Sequence, residues 1–364
     1  MHFNQAQKKS SGKRVAVRIT VLVVSFLFIL FGLGLTYVQT MLNRIDRTEI
    51  KGNPNLTVSE LAAQFVESNN TISIDIDDSI AKIKSSQEQY EKIQEIPILQ
   101  DENITNILLV GSDTRNAGSF AGNGDSVIIV SINNLTKKIH LTSLMRAMYV
   151  NIPGQRWFLL NASYSLGGPQ LLIDTIENNF RIHIDDYVVV NFERFEQVID
   201  AVGGVDVTLT QKEADYLHSY WKTRELKAGP NTLTGYEALG FARTRSIDTD
   251  FKRTGRQRMV IESLIKKASS MSLMQLHNFA YTLLPLINTS LSDSEVLSLA
   301  SSAPGYAKYE IDQKMLPVEN DPNGEGKDAP FQGMFYINAS GYHLEVYNVN
   351  YYTNVKAIQE FIVS

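Results

Sequence analysis

The chain of 364 residues contains no cysteine. That absence excludes disulfide bonds, a thiolate nucleophile and any zinc site built on sulfur. Histidine is scarce as well: the six histidines lack the spacing of metal ligands, and ordinary surface or core positions account for them. Hydrophobic residues make up 43% of the chain, which is enough to bury one substantial core or two modest ones.

Acidic residues outnumber basic residues over most of the chain. The formal net charge is −5, yet residues 1–18 hold five lysines and arginines and no acid, so the remainder carries −10. A protein that binds nucleic acid needs a basic surface. A net-acidic body therefore argues against DNA or RNA as a partner.

One long apolar run, Ile19–Val38, has no charged residue over twenty positions. A helix of that length spans about 30 Å, the thickness of the hydrocarbon core of a membrane. A cleaved signal peptide has a shorter apolar region, of about 7–15 residues, followed by small residues at a cleavage site, and this pattern is not found here. We therefore predict an uncleaved transmembrane anchor.

The basic residues before this run predict a cytoplasmic tail over residues 1–18. The chain beyond the span, from about residue 40, then lies outside the cell, in a single-pass protein of the cell membrane. Residues 39–103 are predicted to be polar and helical, with helices near Val58 and over Ser79–Ile93. They form either a stalk or an accessory helical layer.

From residue 104 onward, short apolar runs alternate with helical patterns. Strands are predicted at 107–110, 127–132, 139–144, 187–191 and 205–209, and helices from Gly168-Pro169, over Phe192–Val202 and from Gly235. Strands and helices joined by short links indicate an α/β layered domain. Residues 269–364 are predicted to complete the outer domain with a helix near Leu273–Leu284, two strands and a last helix.

Two aspartates stand at the edges of predicted strands. Asp113 follows the first strand, Asp125 precedes the second, and a glycine-rich loop lies between them. If the strands are neighbours, both carboxylates reach one end of the sheet, where they could hold a Mg²⁺ that bridges substrate phosphates. Capping of turns, a common role of aspartate, is the alternative.

Arginines cluster between Arg243 and Arg258. The run Phe241–Arg245 alternates as a strand does, which predicts that Arg243 and Arg245 share a face. Arg253, Arg256 and Gln257 follow at helical spacing and are predicted to share another face. Guanidinium groups that converge from two elements suit a pyrophosphate, and Asp248 and Asp250 could hold them in place. The alternative is a solvated basic face.

Several segments, in this order, resemble the LytR–CpsA–Psr family of cell-wall ligases. The similarity covers about residues 104–268 of this sequence. The matching runs are Asn106-Ile-Leu-Leu-Val-Gly-Ser-Asp-Thr-Arg115, Gly124-Asp125-Ser126, Ser143-Leu-Met-Arg146, Tyr149-Val-Asn-Ile-Pro-Gly154, Asn161-Ala-Ser-Tyr164, Leu233-Thr-Gly-Tyr-Glu-Ala-Leu239 and Arg243-x-Arg245 with Asp250-x-x-Arg253-x-x-Arg256-Gln257.

The resemblance implies a mixed central sheet flanked by helices in a Gram-positive type of cell envelope. It implies a phosphotransferase that moves an anionic glycopolymer of the teichoic acid or capsule class from undecaprenyl pyrophosphate to peptidoglycan. By match, Mg²⁺ would be held by Asp113 and Asp125, the catalytic residues would be Arg146, Arg245 and Asp250, and the pyrophosphate would be bound by Arg115, Arg146, Arg243, Arg245, Arg253 and Gln257. Apolar helices around Leu171–Ile176 and Val198–Val202 could line a polyprenyl slot, or simply belong to the core.

Two positions depart from the family pattern. Ala147 stands where an aspartate commonly follows the arginine, and Leu159 stands where a basic residue is common, although Arg156 is close by. Two other functions therefore stay open. One is a non-catalytic sensor or scaffold that binds polyprenyl phosphates, and the other is a membrane-bound transcriptional attenuator. The latter is disfavoured because only 18 residues precede the span, too few for a helix-turn-helix.

Overall fold

The computed structural model describes residue 25 and residues 32–65, 76–114, 119–120, 122–318, 334–339 and 342–364. Its strands are β1 Ile104–Ser112, β2 Gly124–Asn133, β3 Lys138–Leu144, β4 Tyr149–Asn151, β5 Trp157–Leu159, β6 Asp186–Asn191, β7 Val205–Leu209, β8 Gly229–Leu233, β9 Asn288–Thr289, β10 Glu310–Leu316, β11 Met334–Ala339 and β12 Tyr342–Tyr347. Its helices are α1 Val58–Phe65, α2 Ile76–Ile93, α3 Leu160–Phe180, α4 Phe192–Ala201, α5 Gln211–Tyr220, α6 Gly235–Arg243, α7 Asp250–Ser269, α8 Leu273–Leu283, α9 Asp293–Tyr306 and α10 Tyr351–Val363.

The chain divides into two compact units, Met1–Ile45 and Asp46–Ser364. In the first unit residues 32–42 are helical. Most of the predicted anchor, Ile19–Val38, lies outside the described residues. Within the part of the chain that is described, no helix has both the length and the apolar character needed to cross a membrane.

A six-stranded mixed sheet forms the centre of the second unit. Its strand order is β10-β3-β2-β1-β6-β9. β1 runs antiparallel to β2 and parallel to β6, while β3 runs antiparallel to β2 and parallel to β10. The predicted α/β fold with a mixed sheet is therefore confirmed, and β10, which was not predicted, adds an edge strand.

Both faces of the sheet are covered, as the alternation along β2 requires. Val127 and Ile129 join the main core with α3 and α10, whereas Val130 and Ile132 face a smaller cluster with α7 and α9. A third cluster packs the two-stranded β7–β8 sheet against α5 and α6. The sheet therefore holds its strand ends, and the loops beyond them, between two helical layers.

The helices before residue 104 contribute to the main core. Leu61 and Ala62 of α1 and Ile93 of α2 are fully buried there. Residues 46–364 thus form one compact unit, and the predicted boundaries at residues 103/104 and 268/269 both lie inside it. The predicted segments 39–103, 104–268 and 269–364 stay a prediction about how the sequence is organised.

Most predicted elements occur close to their expected positions, with two differences. The helix expected from Gly168-Pro169 is the second part of α3, which starts after a break in helical geometry at Gly167–Gly168; the helical turns from Leu160 up to that break were not predicted. The strand expected at Phe241–Arg245 is wrong: α6 runs to Arg243 and irregular backbone follows. A capping box at Thr234 and Glu237 starts α6, and the helix continues through Phe241, Ala242 and Arg243, the first three of the alternating residues.

Candidate active site

The two candidate metal-binding aspartates lie side by side at one edge of the sheet. Ser112 at the end of β1 pairs with Gly124 at the start of β2. The backbone N–H groups of Asp113 and Asp125 both donate to the carbonyl oxygen of Asn123, each at 3.1 Å. The pairing of β1 with β2 thus brings the backbones of Asp113 and Asp125, which are separated by eleven residues in the chain, to the same carbonyl group.

Arg146 is paired with one of these carboxylates. It follows β3 and donates from Nη1 to Oδ1 of Asp125 at 3.0 Å. The side chain of Arg146 is 16% exposed and that of Asp125 is 29% exposed. A ligand can therefore reach this ion pair, which is joined by a charge-assisted hydrogen bond.

Arg245 and Arg253 meet at Asp250, the first residue of α7. Arg253 donates from Nη2 to both carboxylate oxygens, at 2.9 and 3.0 Å, and the Nε of Arg245 lies 3.5 Å from Oδ1. A carboxylate in the first turn is also favoured by the helix dipole. Arg245 is 30% exposed, whereas Arg253 is nearly buried at 5%. Asp250 therefore fixes both arginines, and Arg245 is the one that a ligand can reach.

Arg243 lies apart from Arg245 because the two residues do not belong to a strand. Its guanidinium group stacks over Phe192, 4.2 Å from the ring centre, and lies 5.7 Å from Trp221. Phe192 begins α4 directly after β6, whose last residue, Asn191, pairs with Ser112. Stacking thus places Arg243 close to the same sheet edge as Asp113.

The prediction that Arg253, Arg256 and Gln257 share one face of a helix is wrong for Arg256. Arg256 is 3% exposed and bonds instead to Asp248, at 2.6 and 2.9 Å, and to Glu213 at 3.1 Å. Gln257 turns toward the sheet, accepting from the hydroxyl of Ser126 at 3.2 Å and donating to the carbonyl of Ala242 at 3.4 Å. Arg256 therefore holds the loop before α7, and Gln257 holds the start of β2 next to Asp125.

Tyr347 is a site residue that the sequence did not indicate. Its backbone N–H donates to the carbonyl of Ala147 at 2.9 Å, and its ring contacts Phe251 with centroids 5.6 Å apart. Burial raises the pKa of its phenol, Asp250 raises it further, and Arg146 and Arg245 oppose that shift. One buried tyrosine thus joins the segment of Arg146 to the segment of Asp250.

Other predicted residues fall outside this constellation. Arg115 lies outside the described residues. Leu159 is 4% exposed in the main core, so its position presents no side chain to the site. The residues proposed to line a polyprenyl slot are mostly core residues, among them Leu172, Ile173, Ile176, Val198 and Ile199.

The carboxylate pair suits a Mg²⁺ ion in its donor chemistry. Magnesium commonly takes one or two protein carboxylates and completes an octahedron with water and substrate phosphate oxygens. Asp113 and Asp125 would supply those two oxygens next to arginines that attract phosphate. Within the described ranges no group of three or more acidic or histidine side chains could hold a metal, so the remaining ligands of an ion here would be oxygens of water and substrate.

A family model described as the LytR_cpsA_psr family matches residues 63–346. The chain belongs to the LytR–CpsA–Psr family. The polyisoprenyl-teichoic acid–peptidoglycan teichoic acid transferase TagU of Oceanobacillus iheyensis is 37% identical over 183 residues, which span 48% of this chain and 55% of that protein. The regulatory protein MsrR of Staphylococcus aureus is 29% identical over 270 residues, 73% of this chain and 76% of that protein.

Solved structures share the fold. A structure described as TagT bound to LIIa-WTA has a TM-score of 0.57 at 24% identity and covers 74% of this chain and 94% of its own. The family protein YwtF (TagT) with bound octaprenyl pyrophosphate lipid has a TM-score of 0.53 at 22% identity, covering 74% and 93%. At these identities the likeness is one of fold.

Proposed function

We propose that this protein is a phosphotransferase that moves an anionic glycopolymer from an undecaprenyl pyrophosphate carrier to a hydroxyl of peptidoglycan. The polymer belongs to the teichoic acid or capsule class. What supports the proposal is that Arg146, Arg245 and Asp250 all act on the buried Tyr347, while Arg146 pairs with Asp125, whose backbone shares the Asn123 carbonyl with Asp113. A pyrophosphate needs several fixed cations within reach of one point.

Ligand binding would use Arg146 and Arg245, both of which are partly exposed. Arg146 is held by Asp125 and Arg245 by Asp250, so neither guanidinium group has to be ordered when the substrate arrives. Arg253, which is nearly buried, also pairs with Asp250 and holds that carboxylate in place. This arrangement gives Asp250 a positioning role, which agrees with one of the two roles expected from the sequence.

The reaction exchanges one phosphorus–oxygen bond for another. The acceptor hydroxyl oxygen attacks the phosphorus that bears the polymer, and the bond to the bridging oxygen breaks. Polyprenyl phosphate leaves with the electron pair, and the hydroxyl proton passes to the leaving phosphate. Charge on the phosphate oxygens is met by Arg146 and Arg245, and such fixed cations supply much of the acceleration in phosphoryl transfer. Mg²⁺ held by Asp113 and Asp125 would neutralise further phosphate charge.

The predicted membrane anchor supports this reading of the substrate. A carrier lipid stays in the bilayer, and a single-pass anchor with the catalytic unit outside brings the site to the lipid head group and to peptidoglycan. The relatives give independent support: one is named a teichoic acid transferase, and a fold neighbour has bound octaprenyl pyrophosphate.

A non-catalytic polyprenyl-phosphate binder is the second candidate. Ala147 favours it, because the position after Arg146 commonly holds an aspartate in the family and here carries no carboxylate. A binder would keep the arginines and lose turnover. The regulatory name of MsrR is compatible with that role.

The two candidates separate in one assay. The purified full-length chain in detergent is mixed with a lipid-linked teichoic acid precursor and peptidoglycan, with Mg²⁺ or with EDTA. We expect release of polyprenyl phosphate and attachment of polymer to peptidoglycan only with Mg²⁺. Binding of the lipid without release, across teichoic acid and capsule donors, would favour the binder and overturn the transferase.

A further inference from the structure

Asp113 is held by a short chain of hydrogen bonds from residues that have no role in the proposed function. The backbone N–H of Asn123 donates to Oδ1 of Asp113 at 2.7 Å, and its side-chain amide donates to Oδ2 at 3.1 Å. The amide oxygen of Asn123 in turn accepts from the hydroxyl of Ser165 at 2.8 Å. Both carboxylate oxygens and the amide that holds them are therefore fixed.

The backbone around Asn123 is built for this contact. Gly122 has a φ of +146°, and a Cβ there would lie 2.5 Å from Oδ1 of Asp113. Only glycine allows the loop to approach the carboxylate so closely without strain. Asp113 also donates its own N–H to the carbonyl of Asn123 at 3.1 Å, which closes the pair in both directions.

Ser165 ties this pair to the helical layer. It lies in α3 just before the kink at Gly167–Gly168, and its carbonyl accepts from the N–H of Asn53 at 2.9 Å. Its hydroxyl is thereby held at a fixed place beside the loop. The orientation of Asp113 thus depends on a side chain 52 residues further along the chain.

We infer that Asn123, held by Ser165, is a positioning residue that orients Asp113 for a divalent cation. An ionised carboxylate accepts about four hydrogen bonds or metal contacts, and Asn123 takes two of those positions, which leaves the others for a cation. Outer groups of this kind fix the ligand and raise metal affinity. This inference rests on the proposed function, since it assumes the Mg²⁺ site of that proposal.

The test measures Mg²⁺ affinity apart from turnover. The full-length chain in detergent is titrated with MgCl₂ by calorimetry in the presence of saturating farnesyl pyrophosphate. Asn123→Ala is expected to weaken Mg²⁺ binding about 10-fold, and Ser165→Ala about fivefold, the effect of one hydrogen bond. In EDTA both variants should bind farnesyl pyrophosphate as wild type does, because the arginines are untouched.

Asn231→Ala is the matched control. Asn231 also makes two side-chain hydrogen bonds, to the carbonyls of Lys227 and Gly229 at 2.8 Å each, but it lies in β8, which pairs with β7 away from the central sheet. It should leave Mg²⁺ affinity unchanged. If Asn123→Ala does not fold, Ser165→Ala decides the question, since it removes one hydroxyl only.

Failure of the inference differs from failure of the proposed function. Wild type that binds Mg²⁺ together with variants of equal affinity would overturn the positioning role alone. An equal loss of farnesyl pyrophosphate binding in EDTA would also overturn it, because the variants would then have disturbed the whole site. Wild type that binds no Mg²⁺ would overturn the metal assignment and this inference with it.

Discussion

Two arginine clusters from one stretch of the chain differ in how they are closed. Around Asp250, Arg245 keeps 30% of its side chain exposed and has one carboxylate partner at 3.5 Å. Around Arg256, which is 3% exposed, two carboxylates and the carbonyl of Thr244 occupy the guanidinium group. The first cluster leaves guanidinium surface that a ligand can reach. In the second, the carboxylates enclose the two terminal nitrogens of Arg256, and its buried Nε has no hydrogen-bond partner among the described residues. Position in a basic motif therefore does not decide function; the partners do.

The largest effect is expected when Arg245, the exposed arginine of the first cluster, is removed. Arg245→Ala is expected to lower kcat about 100- to 1,000-fold, the usual cost of losing a fixed group that stabilises transition-state charge. The free energy of unfolding should change by less than about 1 kcal/mol, because the ion pair is partly exposed. Polymer attachment to peptidoglycan and urea denaturation measure the two effects.

Lys138→Ala is the control for Arg245→Ala. Lys138 is equally exposed, at 30%, and pairs with Asp312 at 3.1 Å, but it begins β3, at the opposite end of that strand from Arg146. Its removal should leave turnover unchanged. Comparable losses of activity in both variants would mean that the open cluster has no special role.

Removal of the closed arginine should give the reverse pattern. Arg256→Ala leaves Asp248 and Glu213 without their common cation, and breaking a buried ion pair in this way costs about 3 kcal/mol of unfolding free energy. Lys84→Ala, which breaks an exposed pair with Glu88, should cost less than about 1 kcal/mol. Urea denaturation of both variants tests this. A stable but inactive Arg256→Ala would place Arg256 in the substrate site instead.

The neighbouring strands β1 and β2 were predicted correctly, whereas the strand at Arg243 and Arg245 was not, and this difference has a local cause. Asp113 and Asp125 were predicted to meet because apolar runs define β1 and β2 clearly, and strand ends in a sheet share an edge. Arg243 and Arg245 were assigned to a strand from five residues, too short a run to compete with the capping box that starts α6. Helical spacing likewise placed Arg256 near Gln257, but could not show that Glu213 and Asp248 surround it.

Tyr347 had no signal in the sequence because its role depends on long-range pairing. It bridges to Met148 across about 200 residues of chain, in a hairpin whose sequence carries only strand propensity. Asn123 was equally hidden, since a polar residue in a glycine-rich loop usually indicates a turn. Strand ends can be predicted from local patterns, but side chains that fix other side chains cannot.

The link between Arg146 and the Arg245–Asp250 pair can be probed at Tyr347. Tyr347→Phe keeps the ring against Phe251 and removes the hydroxyl whose pKa responds to Asp250, Arg146 and Arg245. We expect kcat to fall about fivefold, the value of one hydrogen bond. Tyr351→Phe is the matched change: its hydroxyl donates to the carbonyl of Tyr149 at 2.7 Å. That variant should lose about 1 kcal/mol of stability and no activity.

A buried ionisable group without a carboxylate partner in hydrogen-bond contact extends the comparison to pH. His140 in β3 is fully buried against Phe361, and in the part of the chain described neither ring nitrogen has a hydrogen-bond partner. Burial lowers its pKa, with a smaller opposing effect of Asp312 and a smaller lowering effect of Lys138. Unlike Arg256, which is surrounded by carboxylates, His140 lies in an environment that favours its neutral form.

The sign of the pH effect follows from that lowered pKa. The unfolded chain binds a proton at His140 below about pH 6.5 while the folded chain resists it, so its contribution to stability is present above that pH and lost below it. We expect the unfolding free energy of wild type to fall more steeply between about pH 7 and pH 5 than that of His140→Leu. Parallel curves for the two proteins would mean that folded His140 takes up its proton as readily as the unfolded chain does. Burial without a partner would then not keep this histidine neutral.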